Sequence, residues 1–413
     1  MIDYTLHILD NGLTLICHRE PETPLVTVNI LYGVGSRDED PTLTGFAHLF
    51  EHLMFGGTKA VPDYDSAVSM LGGEANAVTN TDYTNYYLTV PARHIEAALQ
   101  LEADRMRGLN LSTETLSVQQ RVVTEEYNQR YMNQPYGDVW MLLRPLCYKV
   151  HPYRWCTIGA DIRHVQRASI EDVQLFFERH YHPSNAIISI AGNIDPIEAA
   201  RLVEHHFGTI KDGGAPCRAK HIDTEPDKTE SQQMTVERNV PTDALYRAYL
   251  MCDRHADAFA ACDLISDILS NGDSSRLKQR LIRKERLFTD IDASILGCLD
   301  RGLFILSGHP SDGVSMETAE KAIDHELQQL TADGVTEGEI DKVINKFEAT
   351  FHMSHYRVAD RAHELCLCQW LGDIARINTE PQYYRQVTED RIQATAQKLF
   401  TPSNANTLHY LAK

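Results

Sequence analysis

The sequence predicts an α+β fold made of two homologous halves, each a mainly antiparallel sheet packed with helices. Three observations carry this expectation. The chain opens on alternating apolar and polar residues broken by Asn11 and Gly12, long stretches of helical apolar spacing follow, and one residue pattern returns 219 positions later. Strict alternation marks a half-buried strand, whereas an apolar period near 3.6 residues marks an amphipathic helix.

Residues 4–9 and 13–17 read as strands joined at Asn11-Gly12, the strongest signal for a two-residue hairpin turn. A third strand is expected at 26–32, where Val26, Val28, Ile30 and Tyr32 alternate with Thr27 and Asn29. A loop at 35–41 leads into a helical stretch at 44–54, which Gly56 and Gly57 stop. Strand text returns at 75–90, and helices are expected at about 92–107 and 113–131.

The repeat comes next. Ser169 opens a helical run that ends on Pro183, Ser184, Asn185 and Ala186, and Thr388 opens a run of equal length ending on Pro402, Ser403, Asn404 and Ala405. Apolar strands follow at 187–191 and 407–411. Four matching residues can arise by chance, but matched spacing on both sides favours duplication. The expected boundaries are a first half at 1–213, a polar linker at 214–231 and a second half at 232–413.

Composition excludes several classes. A chain of 413 residues outgrows a single core, which stops expanding near roughly 250–300 residues. With 43% apolar and 23% charged residues it reads as a soluble globular protein, and no stretch approaches the ~20 apolar residues of a membrane-spanning helix. A formal charge of −19 disfavours nucleic acid and acidic membranes as partners. Nine cysteines without a CxxC pair argue against a disulfide framework and against a cysteine zinc site. The first residues show no basic segment followed by an apolar core, so a cytoplasmic protein is expected.

Chemistry concentrates in His48, Glu51 and His52. On a helix, residues four apart share a face about 6 Å apart, so both imidazoles can reach one ion. Glu51 stands close enough to exchange a proton with water at such an ion without being a ligand itself. A His-x3-His pair also occurs on helices that bind nothing. Here, however, the neighbours Leu49, Phe50, Leu53 and Met54 are apolar, and burying three polar groups among them is costly without a partner. The order His-x-x-Glu-His is the inverzincin signature.

Around this motif the chain resembles the pitrilysin or insulysin-type metallopeptidases, and in particular the metal-bearing subunit of mitochondrial processing peptidase and its bacterial relatives. The resemblance rests on residues 35–38 before the motif, 45–58 through it, 72–79 and 84–87 after it, and on 151–153 and 272–277 further along. It implies a pitrilysin-like fold and one Zn2+ per chain, with a third ligand at the end of the run Val122, Val123, Thr124, Glu125 and Glu126. Glu126 shares a helix face with Val122 and Val123 and is expected to point inward as that ligand. Glu125, with Arg121 four residues earlier, is expected on the solvent side, as a supporting carboxylate at most. A further glutamate that the family often places seven residues before the ligand is Gln119 here.

The resemblance also implies that Asn76 and Ala77 lie on a sheet edge beside the metal, where an extended peptide adds as a further strand. Without it, Asn76 reads as a strand or turn cap. In relatives an arginine and a tyrosine seven residues later bind substrate and stabilise the oxyanion. The arginine matches Arg283, but position 290 is Asp290. The missing tyrosine implies a heterodimer with a homologous sister chain that supplies an Arg/Tyr pair, with a diverged homodimer as the alternative.

The implied function is a zinc metalloendopeptidase hydrolysing peptides or unfolded segments in a two-chain chamber. One alternative is a non-catalytic assembly subunit resembling the respiratory-complex core proteins, against which the intact Glu51 argues. Another is a zinc-stabilised binding protein, against which a three-ligand set argues. The other histidines, among them His205, His206, His352, His355 and His363, read as surface or structural groups, and the acidic stretches 317–326 and 337–341 as solvated faces.

Overall fold

The computed structural model describes residues 1–214 and 222–413; residues 215–221, which fall in the expected linker, lie outside the described residues. Two compact units divide the chain. The first comprises Met1–Gln129, Trp155–Ile222 and His352–Thr379, and the second comprises Arg130–Arg154, Asp223–Phe351 and Glu380–Lys413. The contiguous halves read from the sequence therefore exchange two segments. Each sheet has a face that needs an apolar cover, and in each unit an exchanged segment supplies one.

The first sheet is built from β1 (Thr5–Ile8), β2 (Thr14–Arg19), β3 (Leu25–Tyr32), β4 (Glu74–Thr79), β5 (Thr84–Pro91) and β6 (Ala186–Gly192), in the order β1-β2-β6-β3-β5-β4. Only β2 and β6 run parallel. The exchanged helix Val358–Trp370 lies on β3 and β6 and packs Leu365 and Cys368 against Ile16. The first hairpin differs from the two-residue turn expected at Asn11-Gly12. Leu9 and Leu13 close a three-residue loop with Gly12 at φ +87°, the left-handed position such loops require. The reason is Asn11, whose side-chain amide donates to the Phe207 and Ile210 carbonyls at 2.9 and 3.1 Å and so serves as an anchor.

The second sheet contains β7 (Gln232–Arg238), β8 (Ala244–Leu250), β9 (Phe288–Leu296), β10 (Leu303–Pro310) and β11 (Ala405–Ala412), in the order β7-β11-β8-β10-β9. Again one pair, β7 and β11, is parallel. Side chains alternate between faces along each strand. Ala248, Leu250, Leu303 and Ile305 meet the exchanged helix Val139–Cys147, while Leu245, Tyr249, Phe304 and Leu306 meet the helices Phe259–Ser270, Met316–Asp333 and Glu389–Leu399.

The repeat has a physical basis. Ser169 and Thr388 cap their helices by accepting from the amides of Asp172 and Arg391. Asn185 and Asn404 each donate a side-chain amide to the carbonyl five residues earlier, His180 at 2.8 Å and Leu399 at 2.9 Å. The acidic stretch 317–326 is not wholly solvated: Glu326 is buried and paired with Arg280, and Glu320 with Arg247 and His409. Among the described residues no helix is long and apolar enough to cross a membrane.

Candidate metal and peptide site

The helix Phe46–Phe55 is fixed by its apolar face. Leu49, Phe50, Leu53 and Met54 are buried, and the Phe50 ring stacks on Phe176 at 4.8 Å and Tyr181 at 5.2 Å. Its N-cap, Gly45, has no side chain to satisfy the first amides. Glu39 does this instead, accepting from the amides of Gly45 and Ala47 at 2.9 Å each. Burial pushes the Glu39 carboxyl up to about 8. Nothing in the local sequence marked this residue, because helix caps are sought at the adjoining position and not six residues upstream.

With the helix held, His48 and His52 project from one face with ring centroids 4.9 Å apart. Glu126 comes from the helix Thr113–Tyr127, one residue before its end. One carboxylate oxygen lies 3.2 Å from His52 Nε2 and 3.5 Å from His48 Nε2, and the three donor atoms lie within 4.8 Å of one another. Tetrahedral zinc with bonds of about 2.0–2.1 Å spaces its ligand atoms ~3.3 Å apart, so this donor set fits that ion. Among the described residues no other three His, Cys, Asp or Glu side chains converge in this way.

Val122 does not share the inward face expected of it. Val123 is fully buried and Glu126 follows it by one helical turn, but Val122 is exposed and marks the outer face. Glu125 is exposed on that outer face. Arg121 donates to the Ser117 carbonyl.

Glu51 Oε2 accepts from the hydroxyl of Thr79 at 2.5 Å. Thr79 is the last residue of β4, which pairs with β5 on one side and forms the open edge of the sheet on the other. Asn76 is exposed on that strand, and its side-chain carbonyl accepts the Ala77 amide at 2.8 Å. The same short strand thus carries both residues of the expected peptide-pairing edge and the group that holds Glu51. No local signal in the sequence marks Thr79 for this role, since the carboxylate it holds lies 28 positions away.

The second unit holds the remaining expected residues. Arg283 sits in the helical segment Lys278–Lys284, about half exposed, and pairs with Asp273 at 3.1 Å. Asp290 is exposed on β9, the edge of the second sheet, opposite His309.

Two family models match the chain: one described as Insulinase (Peptidase family M16) over residues 14–142, and one described as Peptidase M16 inactive domain over residues 167–347. The chain is 29% identical over 351 residues to a protein of Helicobacter pylori named zinc protease PqqE, an overlap covering 83% of this chain and 78% of that one. The crystal structure of a protease from Helicobacter pylori superposes with a TM-score of 0.91 at 26% identity, covering 99% of this chain and all of that one. A second, titled peptidase M16 inactive domain from Pseudomonas fluorescens, has a TM-score of 0.90 at 16% identity, covers 100% of this chain and 98% of that one, and shares the fold.

Proposed function

This chain belongs to peptidase family M16, the pitrilysin-type metallopeptidases, and from that premise we propose that it is a zinc metalloendopeptidase acting on peptides or unfolded segments. The observation that carries the reading is the convergence of His48, His52 and Glu126, with Glu51 one residue away and hydrogen-bonded to the end of an open sheet edge. His48, His52 and Glu126 would hold one Zn2+. When bound, the ion supplies Lewis acidity, drawing the pKa of water down towards ~7 and polarising the scissile carbonyl.

The chain's own side chains do the rest. Glu51 takes the proton of the attacking water and returns it to the leaving amine, while Thr79 holds the carboxylate in place. The β4 edge pairs with the backbone of an extended substrate around Asn76 and Ala77, which gives affinity with little side-chain selectivity. Metal analysis tests the ligand set: Glu126→Gln loses zinc, whereas Glu125→Gln keeps it, and the reverse pattern reassigns the third ligand.

Asp290 stands where relatives place a tyrosine, and an ionised carboxylate cannot donate to an oxyanion. We propose a heterodimer whose sister chain supplies the Arg/Tyr pair. Adding that chain then raises turnover by about two orders of magnitude, from the 2.7–4 kcal/mol that one oxyanion donor is worth. Full activity of the single chain, unaltered by Asp290→Ala, would instead indicate a self-sufficient homodimer.

A further inference from the structure

The second unit contains a cavity of about 700 Å³ that the peptidase reading leaves unused. That volume falls within the roughly 300–1,000 Å³ of small-molecule sites. Three elements wall it: the end of β8 running on to Cys252, the start of the helix Phe259–Ser270, and one face of the helix Glu389–Leu399. Met251 and Leu399 are buried and give it an apolar floor.

The polar lining is unbalanced in sign. Lys228, Arg301, Arg391 and Lys398 face two carboxylates, Asp227 and Asp257. Arg301 is held by Asp227 at 2.8 Å, and the Lys228 ammonium donates to the Leu146 carbonyl at 2.7 Å. Arg391 donates to the Asp257 backbone carbonyl and keeps its other N–H groups towards the cavity; the Asp257 carboxylate itself is fully exposed and 3.9 Å away, a pair that water screens heavily. Lys398 is exposed and forms no ion pair among the described residues. Arg391, Thr395 and Lys398 succeed one another at helical spacing and so share a face. Thr395 is only 8% exposed, yet among the described residues its hydroxyl has no hydrogen-bond partner. The helix Phe259–Ser270 adds the positive end of its dipole, since Ala258 caps it without a side-chain acceptor.

We infer that this cavity binds a small amphiphilic anion, its acidic head held by Arg391, Lys398 and the Thr395 hydroxyl and its apolar body lying on Met251 and Leu399. The shared chemistry is an anionic head on an aliphatic body, and carboxylate and phosphate heads both satisfy it.

Cys252 provides a local reporter, because it is only half-buried in the cavity wall and the neighbouring Cys262 holds its thiol below the usual range. Alkylation of Cys252 by iodoacetamide, followed by mass spectrometry on the full chain, reads occupancy at this place alone. Octanoate or octyl phosphate slows alkylation, while octanol at the same concentration does not; the stronger of the two anions identifies the head group. Lys398→Met, an exposed change that leaves the core intact, raises the concentration needed for protection about tenfold, as expected for loss of one charged contact. Thr395→Val weakens protection in the same direction. The inference is overturned if neither anion protects Cys252, if octanol protects as well as they do, or if Lys398→Met leaves protection unchanged.

Discussion

The strands β2-β6-β3-β5-β4 of the first unit and β7-β11-β8-β10-β9 of the second follow one order, with the parallel pair in the same place. In each unit the third strand of that order leads on to a helix. In the first this is Phe46–Phe55, whose apolar face carries His48, Glu51 and His52 at its margin. In the second it is Phe259–Ser270, where Cys262, Leu264, Ile265, Ile268 and Leu269 are buried and no histidine occurs. Its carboxylates are already engaged, Asp263 by the Tyr384 hydroxyl and Asp267 by the Asn271 amide, each at 2.6 Å. A duplicated scaffold supplies the place, and the side chains at that place decide whether chemistry follows.

The largest expected effect breaks this contrast. Glu51→Gln removes the proposed base and leaves both imidazoles, so peptide hydrolysis falls ~10²–10⁴-fold while bound zinc and the unfolding midpoint are retained. Asp263→Asn, on the corresponding helix, leaves hydrolysis of a quenched peptide unchanged once stability is matched. Equal losses in both variants would mean that the contrast is structural only.

Much of this was legible in the sequence because it is local. The His-x-x-Glu-His spacing, the caps at Ser169 and Thr388, and the strand alternation all act within a few residues. What was not legible depends on distant partners. Val122 was read as inward because a helical pattern gives a face but not which side of it the neighbouring elements cover. The exchange of 130–154 and 352–379 leaves no mark, since an amphipathic segment does not name the sheet it will cover. Arg105, fully buried against Glu102 and 4.3 Å over the Tyr64 ring, looks like any surface arginine until those partners are placed.

A second comparison is smaller in effect and sharper in sign. Each unit uses one buried carboxylate to gather backbone amides: Glu39 takes two, and Glu225 takes those of Lys149, Val150 and His151 at 2.8–2.9 Å. For Glu39 burial wins and the pKa is raised; for Glu225 burial opposes, but the three amides hold the carboxyl below its ordinary value. Linkage then runs in opposite directions. The Glu39 contribution is full below the ordinary glutamate pKa and is lost as pH rises through about 8. The Glu225 contribution is present above the ordinary value and is lost as pH falls through its lowered one. Urea unfolding across pH checks this: Glu225→Gln costs about 1–3 kcal/mol near neutrality and less in acid, whereas any loss in Glu39→Gln shrinks towards alkaline pH.

The last contrast is between two corresponding sheet edges, β4 and β9. On β4 the terminal Thr79 hydroxyl donates to Glu51, whereas on β9 the Thr289 hydroxyl bonds locally, to Asp290 at 3.3 Å and the His309 carbonyl at 3.2 Å. A single hydrogen bond to a charged group is worth about 1.5–3 kcal/mol. Thr79→Val keeps the β-branched shape that a strand favours and removes only the donor, so the strand and its pairing should survive. If Thr79 orients the base, kcat falls roughly tenfold or more while KM for an extended peptide changes little, because the proposed backbone pairing at Asn76 and Ala77 is untouched. Thr79→Ser, which restores a hydroxyl, recovers most of the loss. Thr289→Val leaves both constants as they were. A rise in KM with kcat constant in Thr79→Val would assign the hydroxyl to substrate pairing along the edge, and Glu51 would then owe its position to the helix alone.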